Sequence, residues 1–181
     1  RIQLGYYRAL LMPWSTGQIE FGVTAEYGYF LLDALRATTA VASLGAAGTV
    51  LLGSLAAYAF ARFPVPGKGP LLLAIVAGTA FPQIAIVSPL YLLMRALGLR
   101  DTWLALILAN ASFTLPLVIW LLAGFIREIP HALEEAAAVD GADRLAILRW
   151  VVLPLVAPGM ASAALLAFLF SWNEFLFAYS F

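Results

Sequence analysis

Four stretches of the chain contain no charged side chain: Ala37 to Ala61, Leu71 to Met94, Thr102 to Ile126 and Trp150 to Asn173. Each meets the roughly 20 residues that a helix, rising about 1.5 Å per residue, needs to cross about 30 Å of hydrocarbon. Core helices of soluble proteins seldom reach that length without a charged face. The composition agrees: 11% of residues are charged and mean hydropathy is +0.95, where a soluble domain carries roughly 25% charge. There is too little polar surface to keep such a chain in water. The sequence predicts an all-α fold, a polytopic transmembrane helix bundle, here a fragment with about four spans.

Several function classes drop out. Formal net charge is zero, and nothing in the sequence points to a nucleic-acid partner. No cysteine is present, so disulfides and thiolate chemistry are excluded while the redox compartment stays open. Lys68 is the single lysine, and Gly67-Lys68-Gly69 lacks the spaced glycines and the hydroxyl of a phosphate-binding loop. Any ATP would have to be handled by another polypeptide. His131 is the single histidine and has no companion ligands, so no metal site is expected. No catalytic residue is expected either: an intramembrane enzyme using Glu174 or Asp140 would lack a paired titratable group inside the spans. The chain starts at Arg1 without a charged-then-apolar leader and stops at Phe181 within an apolar segment, so both ends read as cut.

Residues 1–36 scatter Tyr6, Tyr7, Trp14, Phe21, Tyr27, Tyr29 and Phe30 among glycines and charges. Such rings favour the membrane–water boundary, which makes residues 1–30 either an interfacial, extracytoplasmic segment or an ordinary polar-aromatic loop. In the first span Gly45, Thr49, Gly53, Ala57 and Ala61 recur every four residues, a stripe of small side chains on one helix face. Small residues let backbones approach closely where lipid gives no hydrophobic drive, although Gly and Ala are common in spans generally. The second span carries Pro82 and Pro89, each removing a backbone hydrogen bond and tending to kink a helix. The third holds Asn110, Ser112, Thr114 and Pro116 near its middle, where polar groups serve either as hydrogen-bonding glue or as pathway lining. Asn173 and Glu174 close the fourth span. Their amide and carboxylate can pair with hydroxyls of a solute, or simply cap the helix or bond a neighbour.

Arg127 to Trp150 is the one long polar stretch between spans. His131 to Val139 is rich in Ala, Leu and Glu, which favour helix; Pro130 suits its start and Asp140-Gly141 its end. A second short helix is predicted to follow, with Asp140 as N-cap, Asp143 near the positive helix end, and Asp140 paired with Arg144 one turn on. Leu145, Leu148 and Val152 would share one face. The physical reading is a helix–turn–helix on the membrane surface, with Ala136 and Ala137 small enough to permit close contact.

The run Glu135-Ala136-Ala137, then three residues, Gly141, then nine residues, then Val151-Val152-Leu153-Pro154 resembles the EAA loop of binding-protein-dependent ABC importer permeases. Val151 stands where the family more often has Ile. The resemblance runs from about Phe30 to Phe181. It is closest to the carbohydrate class, permeases like the smaller inner-membrane subunit of maltose and trehalose importers. Supporting stretches are Gly53 to Arg62, Phe81-Pro82, Pro89-Leu90-Tyr91 and Ser171 to Phe177; Ala37-Thr38 departs from the Asn-Ser often found there.

The resemblance implies a type I ABC importer permease fold over residues 31–181, incomplete, with a coupling loop at 127–150. One span would be missing before Arg1 and one after Phe181. It implies a pore-forming subunit of the plasma (inner) membrane, and no enzyme. Its partners would be an ATP-binding subunit carrying the ATP and Mg, a second permease subunit and an extracytoplasmic solute-binding protein; this chain itself would bind no cofactor. Glu134, Glu135, Ala136, Ala137, Asp140, Gly141, Leu153 and Pro154 are then the coupling residues. Glu135 would make polar contacts to the ATPase, Gly141 would permit the turn, and Leu153-Pro154 would start the next span. The implied solute is a sugar, with Asn110, Asn173 and Glu174 as path residues. A permease for another small solute, or a helical membrane assembly protein using only the small-residue face, are the alternatives.

Orientation follows from the charges. Arg62, Lys68, Arg127, Arg144 and Arg149 flank one side of the spans, against Arg36, Arg95 and Arg100 on the other. The positive-inside rule puts residues 63–69 and 128–149 in the cytoplasm and 96–101 outside. In this cysteine-free chain, single cysteines at Gly67, Gly98 and Ala142 report the arrangement. An impermeant thiol reagent on intact cells is expected to label position 98 alone; labelling at 67 and 142 instead would invert the topology.

Overall fold

The structure, a computed structural model, describes residues 21–64 and 66–180, with side chains from residue 32 onward. Residues 1–20 of the expected interfacial segment lie outside the described residues. The chain divides into two compact units, Arg1–Thr38 and Thr39–Phe181. In the first, the chain is helical from Phe21, and exposed Asp33 and Arg36 pair across one turn at 3.4 Å.

Helices account for the second unit, and no strand occurs among the described residues. In chain order the described helices are α1 (Phe21–Arg62), which begins in the first unit, then α2 (Lys68–Ala77), α3 (Gln83–Ala96), α4 (Trp103–Glu128), α5 (His131–Val139), α6 (Arg144–Ile147), α7 (Leu153–Trp172) and α8 (Leu176–Ser180). Three segments are long and apolar enough to cross a bilayer: Leu32–Arg62, Trp103–Glu128 and Arg144–Trp172. Lys68–Ala80 and Gln83–Ala96 meet that test only as a pair, bent by 95°. Counted as one span, the pair completes the expected four.

Where the sequence predicts one helix over Leu71 to Met94, the structure breaks it. After α2 the chain tightens into a 3-10 turn at Gly78–Ala80, and Phe81 and Pro82 are extended, at ψ 135° and 124°, before α3 begins. Pro82 explains the place: its ring disfavours helical geometry at Phe81, and it has no N–H to continue the ladder. Pro89 has the same chemistry but sits inside α3 without interrupting it.

The core is shared by α1, α4 and the run from α6 to α7. Ala46, Val50, Ala57 and Tyr58 belong to one apolar cluster with Val118, Leu122 and Ile126, and with Val152, Val156, Ala163 and Ala167. Small residues set the spacing. Gly45, Thr49, Gly53 and Ala57 are buried, as their period of four predicts, and Ala61 is half-buried. A Cβ on Gly53 would lie 2.7 Å from Val118 Cγ1, and one on Gly159 would lie 2.7 Å from the Phe125 ring. Close approach at these two glycines fits α1 against α4 and α4 against α7.

A test separates close packing from mere composition. Gly53→Ala meets a β-branched side chain with little rotameric freedom, and the overpacking is expected to cost about 1–3 kcal/mol. Gly45→Ala lies on the same stripe with nothing within 4 Å of the new Cβ. It is expected to be neutral or to gain up to about 1 kcal/mol of helix propensity. Thermal unfolding of the two variants in detergent distinguishes them; equal losses would deny Gly53 its close contact.

Candidate functional site

Two groups of residues stand out, one in the polar segment between α4 and α7, the other in a cavity of the bundle. In the first, α5 covers His131–Val139 as predicted. It ends on a glycine-dependent turn: Gly141 N–H donates to the Ala138 carbonyl at 3.1 Å and Ala142 N–H to the Ala137 carbonyl at 3.0 Å. Gly141 has φ +91°, in the left-handed region where side chains are strained. Asp140 is therefore the C-cap of the first helix and not the N-cap of the second. That cap is Asp143, whose Oδ1 accepts from Ala146 N–H at 2.7 Å. Among the described residues Asp140 and Arg144 form no ion pair; Arg144 lies 5.9 Å over the Phe63 ring.

The second helix is also not a separate surface element. α6 runs through a π-helical turn, Leu148–Val152, directly into α7. Pro154 in the first turn of α7 lacks an N–H, so the carbonyl ladder behind it must shift, and the wider turn sits there. The buried face is Ile147, Leu148 and Val152, whereas Leu145, expected on that face, is exposed. From Arg144 onward the polar segment thus joins a span through continuous helix.

The two glutamates of α5 point to different surroundings. Glu135 is exposed, as are Ala136, Asp140 and Gly141, with Ala137 half-buried; beside them Val139 is 87% exposed and Leu145 67%. Leu153 is half-buried and Pro154 exposed at the start of α7, away from this turn in sequence. Glu134, expected in the contact group, turns inward. It pairs with Arg62 Nε at 2.5 Å, and the two side chains are only 8% and 3% exposed. Tyr58 Oη donates to its other oxygen at 3.2 Å. The guanidinium also donates through Nη2 to the Ile129 carbonyl at 2.8 Å, while Nη1 lies 3.3 Å from His131 Nε2. Sequence reasoning missed Arg62 and Tyr58 here; the signal was a lone cation closing an uncharged span.

The predicted path residues come together. Asn110, Asn173 and Glu174 line one cavity of about 410 Å³ with Thr79, Gln83, Phe113, Thr114, Leu117 and Phe170. Asn110 is buried and donates to Ser171 Oγ at 3.0 Å, joining α4 to α7. Asn173 donates to the Leu169 carbonyl at 2.8 Å. Glu174 accepts from Phe177 N–H at 2.8 Å and Ala178 N–H at 3.3 Å, capping α8. Capping and lining are thus combined in one residue. Thr79 and Gln83, not singled out from sequence, flank the break at Phe81-Pro82. Their position as the polar residues around a mid-span proline was a readable signal. No cationic side chain lines the cavity, and two aromatic rings do.

Comparison with known proteins bears on this geometry. The family described as binding-protein-dependent transport system inner membrane component matches residues 49–181. A trehalose transport system permease protein of Mycobacterium tuberculosis is 50% identical over 131 residues, 72% of this chain and 48% of the relative. A sulfoquinovosyl glycerol transport system permease protein of Agrobacterium fabrum is 44% identical over 78% of this chain and 50% of its own length. A trehalose/maltose transport system permease protein of Thermococcus litoralis is 39% identical over 80% of this chain and 52% of its own length. The chain therefore spans about half the length of these relatives. Its matched residues carry both α5 with its glycine turn and the cavity, and the chain belongs to the family of binding-protein-dependent transport system inner membrane components.

Proposed function

We propose that this chain is part of the pore-forming permease subunit of an ATP-driven importer for a neutral mono- or oligosaccharide. The observation that carries the reading is the cavity. Thr79, Gln83, Asn110, Asn173 and Glu174 bring hydroxyl, amide and carboxylate groups from four parts of the bundle to one space, beside the faces of Phe113 and Phe170. Its volume falls within the roughly 300–1,000 Å³ of small-molecule sites. Amides and carboxylates pair with hydroxyls, and rings cover the apolar face of a sugar. A solute with net negative charge would meet Glu174 and no counter-charge. Two of the relatives are named for trehalose, in agreement with this chemistry.

Membership of the family supports the remaining parts of the reading. The chain is a multi-pass protein of the inner membrane. Residues 131–149 would dock on a separate ATPase that carries ATP and Mg, with Glu135, Ala136, Ala137, Asp140 and Gly141 on the contact face. Glu134 would act behind that face, and Leu153 and Pro154 at the entrance to α7. A second permease subunit would complete the path, and an extracytoplasmic binding protein would deliver the solute.

Uptake by the complete importer in liposomes tests the solute class. Labelled trehalose and maltose are expected to be taken up in preference to glycerol phosphate and amino acids. Gln83→Ala and Asn173→Ala are each expected to raise KM about fivefold, the worth of about one hydrogen bond. Preference for an amino acid or peptide would refute the sugar class, and unchanged KM in both variants would remove the cavity from the path.

The docking face has its own test. Gly141→Val forces a β-branched residue into the left-handed region, at about 1–2 kcal/mol or more, and deforms the turn. Glu135→Lys reverses a surface charge without touching the core. Both are expected to reach the membrane yet lose solute uptake and solute-stimulated ATP hydrolysis. Normal uptake in both variants would sink the assignment.

A further inference from the structure

We infer that Arg62 is a positioning residue of the transport cycle, holding the cytoplasmic end of α1 to the first turn of α5 so that the two move as one body. The inference rests on the importer reading above. The reasons lie in connectivity, charge and shape. α5 is joined to α4 by the short link Ile129-Pro130 and to α7 through the Gly141 turn and α6, but α1 ends at Arg62, 69 positions before α5 begins at His131. Displacement of α5 reaches α1 only across space.

Arg62 bridges that space. Its side chain is 3% exposed and Glu134 is 8% exposed, so parting them would strand two charges in a poorly solvated place. The polarity is favourable at both ends: a cation in the last turn of α1 and a carboxylate in the first turn of α5. One planar fork serves three targets at once, the Glu134 carboxylate, the Ile129 carbonyl and the His131 ring. All three lie in the corner where α4 gives way to α5. A lysine offers a single point of charge and cannot reproduce this. Glu135, the next residue, faces outward, so a load applied there is taken up by Glu134 one position away.

The absence of cysteine from these residues permits a direct test in the complete importer, the rest of its sequence made cysteine-free. Arg62→Cys with Glu134→Cys removes the link, and a short bifunctional thiosulfonate restores it covalently. Uptake of labelled trehalose and ATP hydrolysis are measured on the same liposomes. Without cross-linker, ATP hydrolysis is expected to persist while solute taken up per ATP falls about tenfold. Cross-linking is expected to restore the ratio, and reduction to abolish it again. Arg62→Lys, which keeps the charge and loses the fork, covers a double variant that fails to assemble; an intermediate ratio is expected. A wild-type ratio in the unlinked double variant or in Arg62→Lys would overturn the inference. So would a cross-link that blocks transport, because α1 and α5 would then have to separate. Failure of the unsubstituted importer to couple ATP to sugar uptake would overturn the importer reading itself, and the link with it.

Discussion

A peptide group in hydrocarbon has no water to fall back on, and leaving it unpaired costs several kcal/mol. That constraint arranges most of this chain. It keeps the spans helical and sends polar side chains back to their own backbone: Ser112 to the Leu108 carbonyl, Thr114 to that of Asn110, Ser162 to that of Pro158. It also decides where the second span can break. Irregular backbone at membrane depth is tolerated where it lines a polar cavity, and the break at Phe81-Pro82 has Thr79 and Gln83 on the wall of one. The broken span and the polar cavity are one feature. Pro82 opens the helix, and the polar lining makes the opening affordable.

Lipid tails are as apolar as leucine, so burial alone gives helices no reason to associate. Here contact area supplies it. Gly53 against Val118 and Gly159 against Phe125 let α1 approach α4, and α4 approach α7, closer than a Cβ at either position would allow. The same helices then rise to the polar segment as a packed set. α7 continues into α6 through the π-helical turn, and α4 passes to α5 at Ile129-Pro130.

How far the sequence revealed this depended on the range of the interaction. Helix α5, its end at Asp140-Gly141 and the small-residue stripe rest on local chemistry and were legible. The two prolines of the second span were not distinguishable, because the outcome depended on what surrounds them: Pro82 follows a 3-10 turn beside a cavity, and Pro89 lies within a regular helix. The N-cap went to Asp140 in place of Asp143 because both precede plausible helix. Only the positive φ of Gly141 shows that the first helix uses Asp140 to finish. Asn110, Asn173 and Glu174 were legible one by one, as polar groups in or at the end of apolar runs. That Asn110, Asn173 and Glu174 share a cavity with Thr79 and Gln83 is a matter of tertiary packing. The inward turn of Glu134 was hidden for the same reason, its partner being 72 positions away.

Glu134 and Glu135 are neighbours of identical chemistry with opposite environments, and the contrast bears on how a helix this short is held. Nine residues fall below the roughly 12–15 at which an isolated helix becomes even marginally stable in water. Its form and place are therefore imposed from outside. The glycine turn fixes its C-terminus, the Ile129-Pro130 link its start, and the buried pair with Arg62 its rotation about its own axis. That last restraint matters most for the exposed face. With Glu134 held inward, the helical turn of about 100° per residue leaves no freedom in where Glu135 points. A buried charge pair is a poor source of stability, but it is selective about geometry, because a rotated helix would leave both charges unpaired. The internal glutamate thus aims the external one.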